Sequence, residues 1–185
     1  MDNIDILIVG AGISGISAAV HLKKMCPQKN VRIIEARASI GGTWDLFRYP
    51  GIRSDSDMHT LGFSFKPWRD AKSIADGPSI LKYVNETVEE YGLFDQIQFN
   101  SRLTKAEWDS ATAQWTIEVD GPASELKTAK CKFLMMCGGY YDYEKPHDPG
   151  FKNTDIFKGQ LIHPQFWPND FKHEGKEIVV IGSGA

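Results

Sequence analysis

The chain has 185 residues, 42% apolar and 24% charged, enough for a packed core and one domain or one and a fraction, too few for a three-domain enzyme. A net charge of -3 and a pI near 5.9 leave no basic footprint for nucleic acid or for an anionic membrane surface. The longest apolar runs, 6–9 and 133–136, fall far short of the ~20 residues of a membrane span.

Asp2 and Asp5 stand where a secretory signal is basic, which makes the cytoplasm the expected location. Cys26, Cys131 and Cys137 are widely spaced and include no C-x-x-C pair. They are expected to be buried thiols rather than zinc ligands or a dithiol centre, and no metal site is expected.

In chain order, the β-branched run 4–9 runs straight into Gly10-Ala-Gly12-Ile-Ser-Gly15, which predicts strand, tight turn and helix. That helix continues through Ile16, Ala19, Val20 and Leu22 to Lys23 and Lys24, cations suited to its C-terminal dipole, and Pro27 marks its end. A second strand is predicted at 31–35, completing a βαβ unit. Residues 41–68 have no period of 2 or 3.6 and read as a long ordered loop, rich in Trp44, Phe47, Tyr49, Phe63, Phe65 and Trp68. Ile80, Leu81, Val84, Val88 and Tyr91 recur at helical spacing with Asn85, Glu86, Glu89 and Glu90 opposite, an amphipathic helix.

Three short runs, 103–108, 115–119 and 131–136, read as an antiparallel meander ending in a buried strand, closed by Gly138-Gly139. Residues 177–185 then repeat the pattern of 5–13 position for position, so a second nucleotide fold is expected to begin there. A strand without its covering helix exposes an apolar face, which predicts a fragment of a longer polypeptide. The fold class is therefore α/β: a Rossmann-like domain with a central parallel sheet and an antiparallel β-meander, plus the first strand of a second Rossmann domain.

The glycines have separate tasks. Gly10 makes the tight turn, Gly12 gives room for backbone against a pyrophosphate, and Gly15 allows close helix packing, with the helix N-terminus facing the phosphates. Glu35, 20 residues after Gly15 at the end of the second strand, is placed to bind ribose hydroxyls. A second glycine turn at Gly41-Gly42 favours FAD over a simple NAD site. No cysteine occurs in 44–56, against the dithiol chemistry of two-fold disulfide reductases.

The run Gly41-Gly-Thr-Trp-Asp-Leu-Phe-Arg-Tyr-Pro-Gly-Ile-Arg-Ser-Asp55-Ser-Asp-Met resembles the flavin loop of the Baeyer-Villiger monooxygenases, class B flavin monooxygenases. Residues 157–168 fit that family's fingerprint, F-x-G-x-x-x-H-x-x-x-W-[PD], at Phe157, Gly159, His163, Trp167 and Pro168. The resemblance implies an FAD-binding domain at 1–145, a linker with the fingerprint at 146–175, and the start of an NADPH-binding domain at 176–185. It implies Gly10, Gly12, Ser14, Gly15 and Glu35 around the ADP half of FAD. Thr43, Trp44, Asp45 and Leu46 would lie along its flavin side, and Leu103 would offer backbone to adenine.

Arg53, Ser54 and Asp55 would face the nicotinamide of NADPH. Asp55 would also belong to the FAD site and position a catalytic arginine that is not in this chain. Gly182, Ser183 and Gly184 would open the NADPH phosphate cradle, and His163 would serve the linker without making bonds.

Competing readings of the same residues remain. Asp55 suits a turn cap with Ser54 and Ser56, and Trp44 and Trp167 suit plain core packing. The activity implied is NADPH-dependent insertion of one atom of O2, through a flavin peroxide, into ketones or onto the sulfur of thioethers and thioamides. The alternatives are a non-catalytic nucleotide-binding fragment for the 185-residue chain itself, and an N-oxygenating relative, which the Trp167-Pro168 ending disfavours.

Overall fold

In the computed structural model, which describes residues 4–122 and 126–182, the β-branched N-terminal run forms β1 (Ile4–Val9). It is flanked on both sides by parallel neighbours, β2 (Val31–Ile34) and β6 (Thr128–Met136). A strand with no free edge is largely apolar, and Ile4, Leu7 and Ile8 are shut off from solvent, while Asp5 near its start pairs with Lys29. The crossover between β1 and β2 is helix α1 (Ile13–Met25), which buries Gly15, Ile16, Ala19 and Val20. Its late cation Lys23 donates to the carbonyl of Tyr91 at 2.6 Å.

The predicted meander forms: β4 (Arg102–Asp109) pairs with β5 (Gln114–Asp120), and β5 with β6, all antiparallel. With a two-residue β3 (Ile97–Gln98) beside β2, the six strands take the order β3-β2-β1-β6-β5-β4. The last meander strand is thus central. Its burial is only partial: Ala129 and Cys131 are buried, whereas Phe133 and Met136 are exposed. Of the three thiols, Cys131 alone is fully buried, and Cys26 and Cys137 are partly so.

The loop expected over 41–68 contains two single-turn helices, α2 (Thr43–Leu46) and α3 (Met58–Leu61). The amphipathic helix is α4 (Gly77–Glu90), with Ile80, Tyr83, Val84 and Val88 inside and Lys82, Glu86, Glu89 and Glu90 outside. The strand expected near 177–181 does not form. No ladder partner lies beside it among the described residues, and Val179 and Val180 are exposed. A lone strand leaves its backbone groups and apolar faces unsatisfied.

Contacts group the chain into two units, one of residues 1–45 with 78–141, the other of 46–77 with 142–185. The first contains the whole sheet. The second contains α3, most of the aromatic loop and the segment of the fingerprint, and it has no strand longer than an isolated bridge among the described residues.

Candidate nucleotide site

The first glycine turn is closed by backbone atoms alone. Gly10 has a φ of +103°, and a Cβ there would lie 2.5 Å from the carbonyl oxygen of Cys137. A Cβ on Gly15 would fall within 1.9 Å of the Gly10 carbonyl oxygen, so helix and turn touch without an intervening side chain. Gly12 is the N-cap of α1, makes no side-chain cap, and no acidic residue occupies the first turn. The exposed Ser14 also lies in that turn. A helix start with its first N–H groups uncapped by side chains is a seat for an anion.

Glu35 follows β2 directly. It is 5% exposed, and its carboxylate is fixed by two backbone donors: Ala11 N–H to Oε2 at 2.8 Å and Arg37 N–H to Oε1 at 2.9 Å. A carboxylate accepts up to about four hydrogen bonds, so capacity remains for two ribose hydroxyls.

The second glycine turn packs on the first. Gly41 N–H donates to Ala11 O at 3.0 Å, and a Cβ on Gly12 would come within 3.6 Å of Gly42 Cα. Gly41 and Gly42 both have positive φ, +110° and +55°. The turn opens α2, in which Thr43 and Trp44 are half-buried and Asp45 is buried. Asp45 Oδ2 accepts from Arg37 Nη2 at 2.7 Å and from Ser39 Oγ.

On the other flank, Gln98 O accepts from Glu35 N–H, and Ser101 N–H donates to Glu35 O at 2.9 Å. Leu103, half-buried on β4, follows two residues later. The first unit therefore gathers Gly10, Gly12, Ser14, Gly15, Glu35, Thr43, Trp44 and Asp45 at the carboxyl ends of β1 and β2, with Leu103 close behind in sequence. This is the crevice position that open α/β sheets use for ligands.

Two participants were not legible as side-chain signals: Arg37, a single cation in an irregular loop, and the carbonyl of Cys137, whose only sequence mark is the adjacent Gly138-Gly139. Burial pushes the Cys137 thiol up from its ordinary value, so it sits beside the turn as a neutral thiol.

The remaining predicted residues belong to the second unit. Arg53 is exposed and forms an isolated bridge with Asp76. Ser54 is buried, and its hydroxyl accepts from Ala75 N–H at 3.2 Å, a structural engagement. Asp55 is exposed and does not cap the turn. That task falls to Asp57, which accepts from the N–H groups of His59 and Thr60 and from the Thr60 hydroxyl at the start of α3.

In the fingerprint, the exposed Phe157 ring lies over Gly159, where a Cβ would come within 2.5 Å of Cζ. His163, exposed, accepts from Gln165 N–H through Nδ1 at 3.2 Å and caps the 3-10 turn Pro164–Phe166. Gln165 is buried and its Nε2 donates to Asp142 O at 2.7 Å. Trp167, half-buried beside Pro168, meets Phe171 edge to face at 5.3 Å. Gly182 is exposed, and Ser183 and Gly184 lie outside the described residues.

These features define a dinucleotide fold, and residues 8–76 match the family of NAD(P)-binding Rossmann-like domains. Over 184 residues the chain is 56% identical to the FAD-containing monooxygenase EthA of Mycolicibacterium smegmatis, in an alignment that takes in 100% of this chain and 37% of that protein.

Among solved structures, an oxidized steroid monooxygenase bound to NADP superposes with a TM-score of 0.75 at 30% identity, over 91% of this chain and 32% of that one. Cyclohexanone-bound cyclohexanone monooxygenase superposes with a TM-score of 0.75 at 25% identity, over 92% and 32%. The chain spans about a third of the length of these relatives. The Rossmann-like fold and the monooxygenase resemblance read from the sequence are both borne out. Among the described residues no helix is long and apolar enough to cross a membrane.

Proposed function

We propose that the chain is the N-terminal portion of an FAD- and NADPH-dependent monooxygenase. It inserts one oxygen atom of O2 into a ketone, or adds it to the sulfur of a thioether or thioamide, while the other atom leaves as water. The observation that carries this reading is the pair of glycine turns closed on each other, Gly12 against Gly42, beside the buried Glu35 carboxylate. A cradle that a single methyl would narrow, with an uncapped helix start at one side, suits a pyrophosphate joining two nucleotides.

When bound, FAD supplies the redox chemistry. Glu35 orients the adenosine ribose, the N–H groups of α1 hold the pyrophosphate, and Thr43, Trp44 and Leu46 border the flavin side, with Leu103 offering backbone at the adenine end. In this reading residues 1–145 are the FAD-binding part, 146–175 the linker and 176–185 the start of the NADPH part. Arg53, Ser54, Gly182, Ser183 and Gly184 serve NADPH. Asp55, exposed and released from turn capping by Asp57, holds a catalytic arginine supplied by another part of the polypeptide. The names of the relatives support FAD, NADP and a ketone substrate.

The test is made on the natural full-length protein. It is expected to be yellow and to consume NADPH and O2 in equal amounts when a ketone or thioether is supplied; colourless protein without NADPH turnover overturns the reading. A second reading applies to the 185-residue chain on its own: a non-catalytic nucleotide-binding fragment, favoured because it contains about a third of its relatives' length. FAD titration of this chain with NADPH oxidation followed in parallel separates the two, and turnover at a full enzyme's rate excludes the fragment reading.

A further inference from the structure

We propose that Arg37 and Asp45 form a latch that sets the gap between the two glycine turns, which makes Arg37 a positioning residue for the flavin half of a bound dinucleotide. The inference rests on the FAD reading above and deepens it. Asp45 stands in α2 among residues expected along the flavin, yet its side chain is 7% exposed and its Oδ2 is taken by Arg37 Nη2 at 2.7 Å and by Ser39 Oγ. A carboxylate this far from water needs a cation and hydrogen bonds. Here both come from the loop after Glu35, so Asp45 faces the protein and acts through Arg37.

Arg37 is the junction of the two halves. Its backbone N–H fixes Glu35 Oε1, its carbonyl accepts from Asn100 N–H at 3.0 Å, and its guanidinium reaches Asp45 and, at 3.4 Å, the carbonyl of Gly42. The adenosine end of the site, Glu35 with Ala11, is held by backbone donors that survive loss of the guanidinium. The second turn is tied to that end by Gly41 N–H to Ala11 O and by the Arg37 side chain. Truncating Arg37 therefore loosens the flavin side and leaves the ADP side in place. A planar fork that meets a carboxylate and a carbonyl together is reproduced only in part by lysine.

The experiment measures FAD and ADP affinities separately in the full-length apoprotein, by flavin fluorescence and by calorimetry. Arg37→Met and Asp45→Asn are expected to weaken FAD binding by about tenfold or more, a shift of one decade or more in Kd, while ADP binding stays within about twofold. Arg37→Lys falls between wild type and Arg37→Met. Lys29→Met, which breaks the pair with Asp5 at the opposite end of β1, changes neither affinity.

Equal losses for FAD and ADP, as a general loosening of the fold would give, overturn the latch, as does unchanged FAD binding in Arg37→Met. Should Arg37→Met fail to fold, the FAD-to-ADP ratio in Arg37→Lys and Asp45→Asn decides in the same terms. A wild-type protein that takes ADP and refuses FAD overturns the FAD reading itself, a result distinct from a wild type and an Arg37→Met that both bind FAD tightly.

Discussion

The Glu35 carboxylate accepts the backbone N–H of Ala11 at 2.8 Å, so the residue that follows β2 is bonded to the middle of the turn that ends β1. The same carboxylate takes Arg37 N–H on its other oxygen. Glu35 thus organises the protein before any ligand arrives, and its two roles can be separated.

Glu35→Gln keeps the size of the side chain and replaces one acceptor by an NH2 group that faces a backbone donor. It is expected to cost about 1–3 kcal/mol of stability, because a buried N–H loses its partner. FAD affinity should fall with it, since one ribose acceptor is lost as well. Chemical denaturation gives the first number and flavin fluorescence titration the second.

Gly15→Ala and Gly12→Ala should behave in opposite ways. A methyl on Gly15 meets the Gly10 carbonyl oxygen at 1.9 Å, so the helix must lift from the turn, at a cost of about 3 kcal/mol or more. A methyl on Gly12 meets Gly42 Cα at 3.6 Å and Gly42 N at 3.9 Å, ordinary contacts, on a backbone of φ -81° that alanine adopts. Its stability should change by less than about 1 kcal/mol, while FAD affinity drops because the methyl occupies the cradle. Thermal melts paired with FAD titration distinguish the two variants.

Asp57 supplies a pH test for the second unit. The Thr60 hydroxyl and N–H, with the N–H of His59, hold its carboxyl below the ordinary carboxylate range. A carboxyl whose folded pKa is depressed contributes stability above its unfolded pKa of about 3.9 and loses it as pH falls through the folded value. Asp57→Ala should therefore lower the melting temperature at pH 7, and the gap to wild type should narrow as the pH falls below the unfolded pKa and on through the depressed folded value. A difference that persists undiminished in acid means the cap is not the cause.

In the fingerprint segment, Gln165→Leu removes the bond to Asp142 O and His163→Phe removes the acceptor of Gln165 N–H. Each should cost about 1 kcal/mol. Hydrogen exchange should quicken at the amides of Gln165 and Phe166 in both variants and stay unchanged at Leu7 and Ile8 in the sheet.

What the sequence disclosed follows from how each element is stabilised. β1 and α1 announce themselves because one is apolar but for Asp5 and the other begins at three spaced glycines. β4 and β5 show alternation broken by turn residues, and α4 shows its buried stripe. β3 has two residues and no period to detect, and α2 and α3 are single turns, α3 set by its Asp57 cap. That 46–77 folds back on itself, and 142–182 likewise, lies beyond any periodicity, since the bonds involved, Ser54 with Ala75 in the one and Gln165 with Asp142 in the other, join irregular segments.

At the site, glycines and Glu35 were legible because their chemistry is backbone geometry and one charge at a fixed spacing. Asp45 was read as a cofactor contact, and its inward pairing with Arg37 became visible only with the chain folded. A turn cap at Asp55 with Ser54 and Ser56 was a competing reading, whereas the residue that caps is Asp57, at the start of α3, because two acids two residues apart look alike until a helix starts at one of them.

The place of β6 between β1 and β5 sets the timetable of synthesis. The β1-α1-β2 unit leaves the ribosome early, yet Ile4 pairs with Cys131, so one side of the first strand waits while more than half of the chain is still being made. At elongation rates of about 5–20 residues per second that interval is on the order of ten seconds. Throughout it the nascent strand has an open flank, the state in which a chaperone has most to offer and in which a neighbouring polysome copy is the most dangerous company.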